Sequence, residues 1–268
     1  MAAPVADPTS STPRISVFTL FPDLIEAHAT TSVLGRARAA GVLEVRAHDL
    51  RRFGVGVHQA VDDAPFGGGA GMVLAPGPVF DAVETAISEG SASRPVLLLG
   101  PGGRTLTQSV ARELAELLVA SGGFSLVCGR YEGFDQRIHD HLADDELSVG
   151  DVVLGGGEVA AMAVAEAVGR LVPGVMGNVD SGVVESFSDG LLEHPHYTRP
   201  AEFRGWGVPE VLRSGDHAKV DRWRHVQALV RTARDRPDLY AARGALTVVE
   251  AKWFREFGVA APEAPSNE

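Results

Sequence analysis

Three glycine-bearing turns each follow an apolar run: Gly100-Pro-Gly-Gly103 after Val96-Leu-Leu-Leu99, Gly129-Arg-Tyr-Glu-Gly133 after Ser125-Leu-Val-Cys128, and Gly155-Gly-Gly157 after Asp151-Val-Val-Leu154. Turns with so little side-chain bulk let backbone amides and carbonyls face a small molecule directly. Alone, each reads as a strand end that lets a helix pack closely; the three together point to one cleft outside the carboxyl ends of parallel strands. A phosphate-cradling P-loop is excluded, because it requires Gly-Lys-Ser/Thr and the only lysines are Lys219 and Lys252. Gly155-Gly-Gly-Glu-Val-Ala160 does match the G-x-G-x-x-A pattern of dinucleotide sites. Its context is wrong, since the match falls in the last βα unit and no strand ending in an acidic residue follows it. An NAD-dependent oxidoreductase stands as the alternative reading.

Other chemistry-bearing residues are sparse. Cys128 is the sole cysteine, which excludes a disulfide framework and a cysteine-based zinc site within one chain. His139-Asp-His141 and His194-Pro-His196 lack the third ligand and spacing that zinc requires, and read as surface residues. No metal-ligand set is assigned.

The elements that must position the turns alternate in type. Apolar runs at 15–21, 42–50, 95–99, 124–128 and 151–154 read as strands; patterns at 23–40, 79–88, 107–120 and 157–171 read as helices. Thr107 is placed to cap the third helix, and Pro173 stops the fourth. Such alternation implies an α/β fold, a parallel sheet covered by helices. Residues 174–189 are rich in turn formers and aperiodic, as in an interdomain linker. Beyond them a helix capped by Ser214 or Asp216 runs to Arg236 and stops at Pro237, with Val220, Trp223, Gln227 and Val230 on one face. The organisation expected is a disordered tail at 1–13, a ligand-binding domain at 14–173, the linker, a helical domain at 190–258, and a tail at 259–268.

The net charge of −11 would at face value argue against nucleic acid. Its distribution says otherwise: residues 196–260 carry 12 basic and 8 acidic side chains, a net of +4 that leaves −15 for the rest. A mildly basic C-terminal third is compatible with a local RNA surface. The N-terminal stretch is small and polar without a signal-peptide pattern, and no apolar run is long enough to span a membrane, so a cytoplasmic protein with no membrane partner is expected.

Six motifs in order carry a resemblance. They are Val61-Asp-Asp-Ala-Pro-Phe-Gly-Gly-Gly-Ala-Gly-Met72, Cys128-Gly-Arg-Tyr-Glu-Gly133, Ser148-Val-Gly-Asp-Val-Val-Leu-Gly-Gly-Gly-Glu158, His196-Tyr-Thr-Arg-Pro200, Ser214-Gly-Asp-His-Ala218 and Arg222-Trp-Arg224. Across roughly residues 14–257 the chain resembles the bacterial tRNA (guanine-N1)-methyltransferases that act on guanosine 37, members of the SPOUT superfamily.

The resemblance implies a deep trefoil knot at the C-terminal end of the sheet domain, an exception to the rule that chains avoid knots. It further implies that the three turns hold S-adenosylmethionine through Leu98, Leu99, Gly100, Pro101, Gly129, Glu132, Ser148, Val149, Gly150, Val152, Leu154, Gly156 and Gly157. Also implied are a homodimer with shared active sites, and a small helical domain gripping the tRNA anticodon stem-loop. Magnesium is implied as well, with Glu132 the candidate ligand. The same resemblance assigns substrate ordering to His58, Asp62 and Asp63. For tRNA it points to Arg199, Ser214, His217, Arg222 and Arg224, the arginines matching phosphate with their planar fork.

Guanine N1 carries a proton at neutral pH, so methylation requires a base to remove it and a cation near O6 to take up the developing charge. By resemblance these are Glu185 and Arg170. Glu185 departs from the family's aspartate by one methylene; Ala70, Phe66 and Val152 replace the usual proline, tyrosine and tyrosine; and residues 53–57 are apolar where the family is polar. Read from the residues alone, Glu185 is a solvated loop acid and Arg170 a helix-end cation. A non-catalytic RNA-binding knot protein is the remaining alternative.

Overall fold

The computed structural model describes residues 12–176, 186–187 and 189–263. The chain divides into two units, Met1–Val179 and Asp180–Glu268.

The first unit is built in chain order from β1 (Arg14–Thr19), α1 (Pro22–Ala29), α2 (Ser32–Ala39), β2 (Glu44–Asp49), the two-residue strands β3 (Asp62–Asp63) and β4 (Val73–Leu74), and α3 (Pro76–Ser88). It continues with β5 (Val96–Thr105), α4 (Gln108–Ser121), β6 (Gly123–Cys128), α5 (Gln136–His141), β7 (Asp145–Ser148) and α6 (Glu158–Gly169). Five strands form a parallel sheet in the order β2-β1-β6-β5-β7. Every residue of β6 is buried, the continuous apolar signature of a strand covered on both faces. Alternation divides the side chains between two cores. Ile15, Val17, Leu97 and Leu99 pack with residues of α1, α2, α4 and α6, while Phe18, Val96 and Leu98 pack with α3 and α5. Helices therefore cover both faces, as the sequence pattern predicts.

Three elements differ from expectation. The helix predicted over 23–40 is two helices, because the Thr31 hydroxyl donates back to the Ala27 carbonyl and that of Thr30 to the Glu26 carbonyl, offering the backbone a way out of the helix. The strand predicted over 151–154 is a loop. Strand β7 lies earlier, and the Ser148 hydroxyl, accepting from the Gly150 N–H, turns the chain at Gly150, whose φ is 131°. The run Val152-Val-Leu154 is left exposed. Third, Gly100-Pro-Gly-Gly103 does not end β5 but interrupts it: pairing with β7 runs to Leu99, slips, and resumes at Arg104. Thr107 caps α4 as expected, accepting from the Val110 N–H at 3.3 Å.

The second unit holds the hairpin β8 (Glu202–Phe203) and β9 (Trp206–Gly207), then α7 (His217–Asp235), α8 (Pro237–Arg243) and α9 (Val248–Glu256). Asp216 caps α7, its carboxylate accepting from the Lys219 N–H at 2.9 Å. The buried face of α7 carries Val220, Trp223, Val226, Leu229 and Thr232. Gln227 and Val230, expected on that face, are only half-buried, since Val226 and Leu229 meet Tyr240 and Phe254 instead. Among the described residues no helix is long and apolar enough to cross a membrane.

Candidate active site

The three glycine turns converge on one cleft of about 290 Å3 at the irregularity within β5 and the carboxyl ends of β6 and β7. Of the residues predicted to touch a small-molecule donor, Leu99, Gly100, Pro101, Gly129, Glu132, Ser148, Val149, Gly150, Val152, Leu154, Gly156 and Gly157 line it. Leu98 does not. It alternates away from Leu99 and is fully buried in the opposite core, so its side chain serves packing.

Each turn needs its glycines for a physical reason. A Cβ on Gly157 would sit 2.8 Å from the Cys128 Cα, because the Gly157 N–H donates to the Gly129 carbonyl at 2.8 Å and draws two turns together. On Gly156 a Cβ would strike the Arg130 guanidinium, and on Gly100 the Glu146 carboxylate, which accepts from the Gly102 N–H. Thus the cleft is closely packed from behind and open in front. Under its floor the Cys128 thiol is buried, and burial, reinforced by the Glu158 charge, pushes its pKa up; it remains a protonated packing group.

Two charged side chains in this region, Arg130 and Glu158, stand in the quoted motifs without a role assigned to either. Glu158, only 1 % exposed, accepts from the Thr19 hydroxyl at 2.8 Å and from Arg130 Nε at 3.0 Å. Arg130 lines the cleft and also donates to the Gly155 carbonyl at 2.9 Å. Nothing in the spacing of residues 28 apart advertises this pair; only the buried glutamate at the start of an apolar helix is a signal.

The loop expected to order the substrate is tied to the cleft by backbone. Asp62 and Asp63 lie in β3, which pairs antiparallel with β4. Next to β4, the Glu132 N–H donates to the Met72 carbonyl and the Leu74 N–H to the Gly133 carbonyl. The Glu132 side chain fills the space that a side chain at Gly71 would take. His58 is exposed in the turn between Val55 and Ala60. Arg170 stands at the C-cap of α6, as expected of a helix-end residue. Glu185 lies outside the described residues. Glu132 offers a single carboxylate, and among the described residues no three His, Cys, Asp or Glu side chains gather as a metal site would require.

With this geometry, comparison with known proteins is decisive. A family model described as tRNA (Guanine-1)-methyltransferase TrmD matches residues 13–242. The chain belongs to the tRNA (guanine-1)-methyltransferase family. Relatives named tRNA (guanine-N(1)-)-methyltransferase include one from Dehalococcoides mccartyi strain ATCC BAA-2266, 52% identical over 84% of this chain and 90% of its own length. Another, from Myxococcus xanthus, is 53% identical over 85% and 90% respectively. A third, from Bacillus cereus strain AH820, is 49% identical over 91% and 98%. For this family member the dinucleotide reading loses its structural basis, since residues 151–154 are not the strand that a G-x-G-x-x-A turn must follow.

In the second unit of this tRNA (guanine-1)-methyltransferase family member, the residues predicted to meet RNA are differently engaged. Arg222 is held bidentately by Glu256 at 2.9 and 3.1 Å, and Arg224 meets Asp221 at 3.3 Å. The Ser214 hydroxyl accepts from the Asp216 N–H and donates to the Val211 carbonyl, ordering the turn into α7. His217 is exposed at the first turn of α7. Arg199 lines a shallow depression with Tyr197 and Arg213.

Proposed function

We propose that this chain transfers the methyl group of S-adenosylmethionine to N1 of guanosine 37 in tRNA, beside the anticodon. The observation that carries the reading is the single cleft assembled from residues 99–101, 129–133 and 147–157 in a chain of this family. Its volume, near 290 Å3, and its glycine walls suit a compact small molecule met by backbone groups. S-adenosylmethionine supplies a methyl group already activated by a sulfonium, so the protein has only to place donor and acceptor in line.

The proton chemistry falls to side chains. Glu185 takes the N1 proton, and Arg170 stabilises the charge that develops toward O6. His58, Asp62 and Asp63 hold the guanine and its loop, a role supported by the backbone ladder that joins β3 and β4 to Glu132 and Gly133. Arg199, Ser214, His217, Arg222 and Arg224 face the anticodon stem-loop. Family membership supports the rest of the reading: a trefoil knot at the cleft, a working homodimer with shared sites, a linker at 174–189, a tRNA-gripping domain at 190–258, and action in the cytoplasm.

The test is incubation of purified protein with labelled S-adenosylmethionine and unmodified tRNA, followed by mapping of the methylated nucleoside. Label at N1 of guanosine 37 is expected. Glu185→Gln, which keeps the shape but removes the base, is expected to lower kcat by roughly 10²–10⁴ while donor binding persists. Undiminished turnover by that variant would move the base elsewhere.

A further inference from the structure

The Gly155–Gly157 wall of the cleft is gripped by an ion pair, Glu158 buried and Arg130 partly exposed at the cleft lining, that serves no part of the proton chemistry above. Arg130 lies between two layers. One face of its guanidinium stands 4.3 Å from the centroid of the Phe21 ring, and its Nε occupies the space that a side chain on Gly156 would need. Two donations and an ion-pair contact fix it: Nε donates to Glu158 Oε2 at 3.0 Å and Nη1 to the Gly155 carbonyl at 2.9 Å, while Nη2 lies 2.9 Å from the same Glu158 Oε2. Glu158 is anchored in turn by the Thr19 hydroxyl at the end of β1, and that same hydroxyl accepts from the Phe21 N–H at 2.9 Å. The chain of contacts thus runs from the sheet, through a carboxylate and a guanidinium, to one backbone carbonyl of the turn. At its other end the turn is held by the Gly157 N–H on the Gly129 carbonyl.

We infer that Arg130 is a positioning residue for the methyl donor, acting with Glu158 and Thr19 to hold the Gly155–Gly157 turn in a donor-binding shape. A glycine turn has wide backbone freedom, and a pocket that recognises its ligand through backbone groups must obtain rigidity from elsewhere. The fork geometry is essential, because one guanidinium engages a carboxylate and a carbonyl at once, which a lysine ammonium cannot do in this plane. The inference rests on the reading that S-adenosylmethionine occupies this cleft.

The experiment separates holding the turn from holding the fold. Full-length native protein and the variants Arg130→Met, Arg130→Lys and Arg130→Met/Glu158→Gln are titrated calorimetrically with S-adenosylmethionine, melted, and assayed for KM toward donor and tRNA. Arg130→Met leaves a buried carboxylate without its cation, so its melting temperature falls; the double variant removes that charge and regains much of the loss. Donor affinity is expected to stay roughly tenfold or more below native in all three variants, with donor KM rising and tRNA KM unchanged. Arg130→Lys, which retains a cation for Glu158, keeps the experiment decisive should the double variant not fold. Native-like donor affinity in the double or the lysine variant overturns the inference and leaves the pair a fold-stabilising device. Failure of the native protein to bind the donor would instead overturn the functional reading, and this inference with it.

Discussion

The glycine-lined cleft is built of turns packed closely against their neighbours; along α7 the candidate groups are guanidiniums at the surface. The two arrangements respond to sequence change in opposite ways. At three positions the cleft is closely backed, with Gly157 against the Cys128 backbone, Gly156 against the Arg130 side chain and Gly100 against the Glu146 carboxylate. Three arginines of the second unit already have carboxylates close by: Arg222 with Glu256, Arg234 with Asp235, Arg236 with Asp238. A site made of closely packed turns is broken by adding atoms. One made of exposed charges is altered only in degree, because water and salt substitute for what is removed.

The largest expected effect comes from pressing on the closed side of the cleft. Gly157→Val places new atoms within 2.8 Å of the Cys128 backbone, where strand β6 cannot retreat. Overpacking of this kind costs about 1–3 kcal/mol, and a shift of the turn by about an ångström is expected to cost turnover roughly a hundredfold. Gly155→Ala is the control two residues away, since a Cβ there meets open space; its melting temperature is expected to match the native one. Calorimetric melting and initial rates on the two variants make the comparison. Equal tolerance at both positions would show that the turn is softer than its packing implies.

What could be read from sequence follows the same division. The three turns were legible because glycine runs after apolar strands have few physical uses, and the cleft gathers nearly all of the residues expected from them. Leu98 lies outside the cleft lining because a motif names consecutive residues, whereas a strand sends alternate side chains to opposite faces. The strand predicted over 151–154 fails for a related reason. Val152-Val-Leu154 is apolar because it forms the wall of the cleft, and a periodicity argument cannot tell a wall from a strand. The Arg130–Glu158 pair, joining residues 28 apart, depends on tertiary placement alone. So does the pairing of Arg222 with Glu256, 34 residues away, which no local rule connects.

Acid provides the next contrast, since the second unit has a buried ionic hub at Glu250. Glu250 is 5 % exposed at the start of α9, where it closes a capping box with Thr247. Burial alone would raise its pKa. Hydrogen bonds from His225 and from the Thr247 backbone and hydroxyl, with the Arg243 charge, outweigh that and bring it from 4.5 down to about 2. Because the folded value lies below the unfolded one, the stabilisation is fully present above pH 4.5 and is lost as pH falls toward 2. Its size is on the order of 3 kcal/mol. Denaturant melts from pH 6 to pH 2, followed by tryptophan fluorescence, which comes from Trp206, Trp223 and Trp253 in the second unit, should show that unit weakening in that window, and Glu250→Gln should flatten the slope. An unchanged slope in the variant would assign the acid sensitivity to other carboxylates.

The smallest effects test whether surface arginines that look alike act alike. Arg222 and Glu256 form a surface pair, so breaking it is expected to change stability little. If the pair persists in the tRNA complex, Arg222→Ala leaves the dependence of tRNA binding on salt concentration unchanged. Arg199, exposed beside Tyr197 and Arg213, is the better placed phosphate contact, and Arg199→Ala is expected to reduce the log–log salt slope by about one. Equilibrium binding at several salt concentrations, with donor affinity measured alongside, reads both variants on one scale. A reduced slope for Arg222→Ala would mean that RNA phosphate displaces Glu256 from the guanidinium. The pairings along α7 would then describe the free protein only, and the contrast with the Arg130–Glu158 pair, whose carboxylate is buried, would become sharper.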